Sequence, residues 1–378
     1  MMEFKVLKKS KKSKARLGLL KTKHGEIQTP CLVPVATQAV IKTLDSKEVE
    51  ETKSQVLICN TFHLHIKPGE DVIGNFGGLN KFMNWLKPLM TDSGGYQVFS
   101  LGFGKDFGTG KILKQKIKGK INLGQQPKLL KITDRGVSFR SFLDGRQLFL
   151  GPRESIKIQE KLGADIIFAF DECTSPLADK KYTKRSLLRT HKWAGICLKE
   201  KRSGQALFGI VQGGKFRDLR SESARFIGSL PFDGFGIGGE FGDDKKKMGQ
   251  MLSWTIKELP ETKPRHLLGI GYLEDILKVV QAGVDTFDSI VPTHYARRGI
   301  AFTSAGEIDL AKRAFLKDKS RLDEKCSCSV CNNYSKGYIS HLLLAKEITA
   351  FKLLTFHNLY FFNSFVQDLR NKIKKGNI

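Results

Sequence analysis

The stretch Ile166-Ile167-Phe168-Ala169-Phe170-Asp171 decides the fold. Its apolar residues are continuous rather than alternating, and the run is too short for a buried helix. Such a run reads as a strand covered on both faces, as in a parallel sheet flanked by helices. Working outward, the same pattern recurs downstream at Leu207–Gln212, Gly234–Gly239, His266–Gly271 and Thr286–Val291. Upstream it recurs at Leu89–Asp92, Val56–Asn60 and Cys31–Ala36. Amphipathic segments lie between many of these runs. Pro152–Leu162 carries Ile156, Ile158 and Leu162, and Phe216–Ile227 and Leu273–Val280 are patterned alike. Eight such runs alternating with helices point to an α/β fold, a (β/α)8 barrel of the TIM type. A doubly wound sheet would leave similar runs. Asp92, Asp171, Gln212, Gly239 and Asp288 each stand at or near the C-terminal end of a run. In a barrel those ends share one face, where active sites are built. Strand-end capping accounts for any one of them alone; five converging positions indicate a site.

Two regions depart from the alternation. Phe103–Phe149 reads as β-hairpins, with turn signals at Asp134-Arg135-Gly136 and Asp144-Gly145. Within it, Lys105–Arg135 holds eight Lys and one Arg against Asp106 and Asp134. It reads either as a basic element suited to a nucleic-acid partner or as a solvated hairpin with protective edge lysines. After Val291 come a basic loop, a cysteine cluster and a Leu-rich helix. The expected division is therefore a barrel over residues 1–310, with a basic hairpin insertion around 103–149, and a metal-binding subdomain with a terminal helix over 311–378.

Lys and Arg number 64 against 38 Asp and Glu, a formal net charge of +26. That balance suits a nucleic-acid partner, although surface lysine alone also keeps a protein dissolved. No apolar run approaches the roughly 18–20 residues that span a bilayer, and the basic start lacks the apolar core of a signal peptide. Phe4, Val6 and Leu7 read as a first strand of the mature protein. The seven cysteines are an odd number, which argues for a reducing, cytoplasmic setting rather than a disulfide framework.

Three of those cysteines, Cys326, Cys328 and Cys331, fall within six positions and read as ligands of a structural zinc. A fourth ligand is required, and spacing alone does not choose between His341 and His357. Thr91-Asp92-Ser93-Gly94-Gly95-Tyr96-Gln97 combines a carboxylate with glycines that admit a ligand close to the backbone, and Tyr96 is placed to stack on a planar base. Asp171, Gln212 and Gly239 supply the mixed donors and acceptors that suit the edge of a guanine-like heterocycle. Asp288 lies within an apolar run, where an ionised carboxylate needs a reason to be present. The basic, aromatic stretch His294-Tyr295-Ala296-Arg297-Arg298 follows it.

The segments TDSGGYQVFSLG (from Thr91), FDECTSP (from Phe170), FGIVQGG (from Phe208), GIGGE (from Gly236), LLGIGYLEDIL (from Leu267), FDSIVPT (from Phe287) and FHNLYF (from Phe356), together with the cysteine cluster, resemble bacterial tRNA-guanine transglycosylases. They occur in the family's order and span most of the chain. The resemblance implies a barrel with an inserted zinc-binding subdomain, a tRNA substrate with guanine at the wobble position, and a homodimer. It implies Asp288 as nucleophile and Asp92 as general base. Asp92, Ser93, Gly94, Gly95, Asp171, Gln212 and Gly239 would bind the base, Tyr96 would stack on it, and Leu268 and Gly269 would line its pocket. Gly269-Ile270-Gly271-Tyr272-Leu273-Glu274-Asp275 and Thr293-His294-Tyr295-Ala296-Arg297 match RNA-contacting segments. The zinc ligands would be Cys326, Cys328, Cys331 and His357. The implied reaction replaces guanine at position 34 with 7-aminomethyl-7-deazaguanine (preQ1) by double displacement through a covalent ribosyl-enzyme, in queuosine synthesis.

The sequence differs from the family where His294 replaces the usual Arg, in a longer loop between Asp92 and Asp171, and at Glu240-Phe241-Gly242 after Gly239. Direct use of queuine and a non-catalytic tRNA-binding partner subunit are the alternative functions. Retention of both Asp92 and Asp288 argues against the latter. An archaeal-type enzyme would be expected to carry a further C-terminal RNA-binding domain, for which the residues after His357 are too few. A zinc-dependent barrel hydrolase would need His-rich strand ends, whereas these end in Asp, Gln and Gly.

Overall fold

A computed structural model describes residues 2–99, 130–141, 144–175, 178–238 and 247–378. The chain opens with an antiparallel meander, β1 (Glu3–Lys9), β2 (Arg16–Thr22) and β3 (Gly25–Thr29). The eight apolar runs then supply eight strands: β4 (Cys31–Pro34), β5 (Leu57–Cys59), β6 (Leu89–Thr91), β10 (Ile166–Phe168), β11 (Ala206–Val211), β12 (Gly234–Ile237), β13 (Arg265–Leu267) and β14 (Thr286–Ser289). Between β6 and β10 lies a second antiparallel meander, β7 (Lys131–Thr133), β8 (Gly136–Arg140) and β9 (Gln147–Leu150), and after β14 comes the hairpin β15 (Ile300–Thr303) and β16 (Gly306–Asp309).

The eight strands form one parallel sheet in the order β4-β14-β13-β12-β11-β10-β6-β5. A parallel bridge between Val35 and Ile58, with the Ala36 N–H donating to the Ile58 carbonyl at 2.8 Å, joins its two ends into a barrel. The period-two geometry of a strand explains why both faces are apolar. Ile166, Phe168, Phe208 and Ile210 pack together inside, whereas Ile167, Leu207 and Val211 pack against the helices. Leu20 and Ile27 of the first meander join the interior cluster and plug the end where the strands begin. There Arg16 pairs with the buried Asp285 through two bonds of 2.8 and 2.6 Å.

The amphipathic segments are helices Pro152–Leu162, Arg217–Ser229 and Leu273–Gln281. The turns expected at 134–136 and around Asp144-Gly145 connect β7 to β8 and β8 to β9. The stretch after Val291, expected to be a basic loop, is instead a short helix, Val291–Ala296. Pro292 sits in its first turn, where a missing N–H costs nothing. The last helix, Ile348–Lys375, buries Phe362, Val366, Leu369 and Ile373 against the barrel together with Leu32 and Phe287. Among the described residues no helix is long and apolar enough to cross a membrane. Gly239, Glu240, Phe241, Gly242 and most of the basic segment Lys105–Arg135 lie outside the described residues.

Candidate active site and metal cluster

Asp92 follows β6 directly. Its Oδ1 accepts the Thr61 and Gly94 N–H groups at 2.9 and 3.1 Å, and its Oδ2 accepts the amides of Gln97, at 2.8 Å, and Asn60. Burial pushes the carboxyl up to about 6, well above the ordinary aspartate value, against the pull of those four donors. A group that titrates there is ionised at neutral pH yet remains a competent base.

Asp171 follows β10 and is buried. The Ser93 hydroxyl donates to its Oδ1 at 3.1 Å and the Gln212 amide to its Oδ2 at 2.5 Å. Gly95 makes this junction possible, because a Cβ there would stand 2.6 Å from the Asp171 carbonyl oxygen. The Gln212 Oε1 is buried without a partner among the described residues. Leaving such an acceptor unmade costs about 1–3 kcal/mol. Tyr96 and Leu268 are half-buried beside these groups' strand ends, Tyr96 in the helical turn 95–99 and Leu268 against the barrel interior.

Asp288 lies in β14, and its side chain is 13% exposed. Its Oδ1 accepts the Gly269 N–H at 2.7 Å and lies 3.1 Å from His266 Nε2. Gly269 has φ +69°, the left-handed region that suits glycine and turns its N–H toward the carboxylate. Parallel pairing puts Asp288 on the same rim as Asp92, Asp171 and Gln212, each at the C-terminal end of its strand. Of the segments expected to meet RNA, Gly269, Tyr272, Leu273, Glu274, His294, Tyr295 and Arg297 reach the surface at least in part, whereas Ile270, Gly271, Asp275, Thr293 and Ala296 are buried.

Sequence reasoning missed four residues that shape this rim. Asn60 and Gln97 hold Asp92, and His266 holds Asp288. The buried Arg220 ties the ends of β11 and β12 together by donating to the carbonyls of Gly214, at 2.5 Å, and Gly238, at 3.2 Å. A polar residue closing or opening an apolar run was the available signal for Asn60 and His266. Arg220, on a helix face otherwise read as amphipathic, had none.

The sulfurs of Cys326, Cys328 and Cys331 and a ring nitrogen of His357 lie within 4.8 Å of one another, and all four residues are buried. His357 Nδ1 is 3.9, 3.5 and 3.3 Å from the three sulfurs in that order. Its Nε2 lies 2.8 Å from the Phe302 carbonyl, to which it donates, so the tautomer leaves Nδ1 free to ligate. Three thiolates and an imidazole at this spacing can hold a metal ion and are compatible with zinc. His341 takes no part in the cluster.

The chain matches the family described as queuine tRNA-ribosyltransferase over residues 10–378. It is 44% identical to the queuine tRNA-ribosyltransferase of Halothermothrix orenii, over 99% of this chain and 94% of the relative. It is 44% identical to that of Natranaerobius thermophilus, over 97% and 94%, and 42% identical to that of Caldanaerobacter subterraneus subsp. tengcongensis, over 100% and 95%. With a barrel rim of paired carboxylates and matches of this extent, the chain belongs to the queuine tRNA-ribosyltransferase family, the tRNA-guanine transglycosylases, which are pentosyltransferases of queuosine synthesis.

Proposed function

We propose that this enzyme exchanges guanine at wobble position 34 of tRNA for preQ1 by double displacement. The observation that carries the reading is the pairing on one rim of two part-open carboxylates, Asp92 and Asp288, with the Gln212 Oε1 beside Asp171 that has no partner among the described residues. Asp288 attacks the ribose C1′; the glycosidic bond to guanine breaks, guanine leaves with the bonding pair and takes up a proton from solvent, and a ribosyl ester forms. Asp92, ionised above pH about 6, takes the proton of the incoming base, whose nitrogen then attacks C1′ and releases Asp288. Two displacements retain configuration. Ser93, Gly94, Gly95, Asp171, Gln212 and Gly239 read the heterocycle, Tyr96 stacks on it, and Leu268 and Gly269 line its pocket. The RNA is met by the part-exposed Tyr272, Leu273, Glu274, His294, Tyr295 and Arg297, positioned by their buried neighbours.

Cys326, Cys328, Cys331 and His357 would hold one structural zinc per subunit. Their complete set of four donors leaves no position for a substrate. In this reading residues 1–310 form the barrel and 311–378 the zinc-binding subdomain, and the enzyme works as a homodimer.

Queuine used directly is the second reading. The family resemblance aligns Gly242 with a position where bacterial members carry a bulkier residue, which favours queuine, while Cys173, a residue of the bacterial type within Phe170-Asp171-Glu172-Cys173, and the general bacterial likeness favour preQ1. Mass spectrometry of tRNA incubated with the enzyme and both bases in competition tests the choice. Predominant preQ1 incorporation supports the proposal, and predominant queuine incorporation overturns it.

A further inference from the structure

His266 is fully buried at the centre of β13, directly paired in register with Thr286 of β14. Residues two apart on a strand share a face and stand roughly 6–7 Å apart. Thr286 and Asp288 are such a pair. The imidazole spans them, with Nδ1 2.9 Å from the Thr286 hydroxyl and Nε2 3.1 Å from Asp288 Oδ1. The Phe168 ring packs on it at a centroid distance of 5.2 Å.

We propose that His266 is a positioning residue for the Asp288 carboxylate and is itself oriented by Thr286. The proposal rests on Asp288 being the nucleophile. An ionised carboxylate has no proton to give, so the hydrogen bond to Asp288 requires the proton on Nε2. In the neutral ring Nδ1 then accepts from the Thr286 hydroxyl, and the donors run in one direction from Thr286 through His266 to Asp288. An apolar side chain would fill this space without the cost of burying two ring nitrogens, and here both nitrogens are bonded. The Gly269 N–H and the His266 ring fix the same oxygen, Oδ1, from two directions. Holding one oxygen at two points sets the plane of the carboxylate, and therefore its approach to C1′. Displacement at carbon depends on that approach, and a small misplacement costs about 100-fold in rate.

The test uses the full-length enzyme with zinc bound and unmodified tRNA. It compares His266→Leu, His266→Gln and Thr286→Val for kcat, for KM toward tRNA and base, for the single-turnover rate of the covalent RNA adduct, and for thermal stability. His266→Leu should lower kcat and the adduct rate together by about 10- to 100-fold with KM unchanged. His266→Gln, which keeps a donor, should recover part of that loss. Thr286→Val should show a smaller loss, absent in the His266→Leu background because the hydroxyl acts through the ring. A wild-type adduct rate in folded His266→Leu overturns the proposal, and so does equal loss in the Leu and Gln variants. If His266→Leu does not fold, a wild-type adduct rate in Thr286→Val overturns it. Failure of the underlying reading looks different: Asp288→Asn would still form the adduct.

Discussion

The metal cluster and the barrel rim gather reactive side chains in opposite ways. Cys326, Cys328, Cys331 and His357 are buried and face one another, three of them within six positions of sequence. Asp92 and Asp288 come from strands far apart in the chain and remain part open. The cluster's donors converge on a single point suited to one metal ion. The rim's donors converge on carboxylates, and among the described residues an acceptor at Gln212 has no partner. In the proposed reading one arrangement serves stability and the other reaction, so they should fail differently when broken.

The largest effect is expected at the cluster. Cys328→Ala should reduce bound zinc from one per chain to none by metal analysis. Binding at such sites is worth about 10–16 kcal/mol in small zinc domains, so its loss is a folding defect. The defect should begin in the C-terminal subdomain, as new protease cleavage near residues 311–345. It should then loosen the barrel, because the helix carrying His357 also buries Phe362 and Val366 against it. Wild-type protein without zinc, or a variant as stable as wild type, would erase the contrast between the two regions.

At the rim, Asp288→Asn should leave stability nearly unchanged, because an amide oxygen still accepts the Gly269 N–H. Base exchange and covalent trapping of RNA should fall by roughly 1,000-fold or more, since an amide is a poor nucleophile. Exchange at the wild-type rate would remove the rim's reactive half from the comparison.

The same contrast governs what could be read from the chain. All eight apolar runs became barrel strands, because a strand buried on both faces must be apolar throughout. Their C-terminal residues overran the ladders: Ile166–Asp171 yields the strand Ile166–Phe168, and the remainder forms the rim. The overrun made Asp171 legible. The cysteines were legible because the cluster is local, and the geometry agrees with His357 over His341. His266 was not, because its meaning depends on register with Thr286 on the next strand. Asn60 and Gln97 were hidden likewise, since each acquires its role by meeting Asp92 in space. The helix Val291–Ala296 was read as a loop because its polar and aromatic residues show no helical period over so short a span.

The smallest expected effect sharpens the account of Asp92. Four donors pull its carboxyl down while burial pushes it up to about 6. Asn60→Ala removes one donor to the charged form, so the pKa must rise, by roughly half to one unit. A general base works only when ionised, so the acid limb of kcat against pH should move upward by the same amount. For a shift from 6 to 7, the rate at pH 7 falls by only about twofold, whereas at pH 6 it falls by about fivefold. Zinc content should stay the same, and stability at pH 8, where the carboxylate is ionised, should fall only by the linked amount of roughly 1 kcal/mol, which separates this perturbation from damage at the cluster. An acid limb that stays in place would show that Asn60 does not keep the base ionised. A wild-type limb far from pH 6 would mean that another group takes the proton from the incoming base. The sign is diagnostic as well: a limb that moves downward would mean that losing Asn60 admits water to the carboxylate, with solvation gained outweighing the hydrogen bond lost.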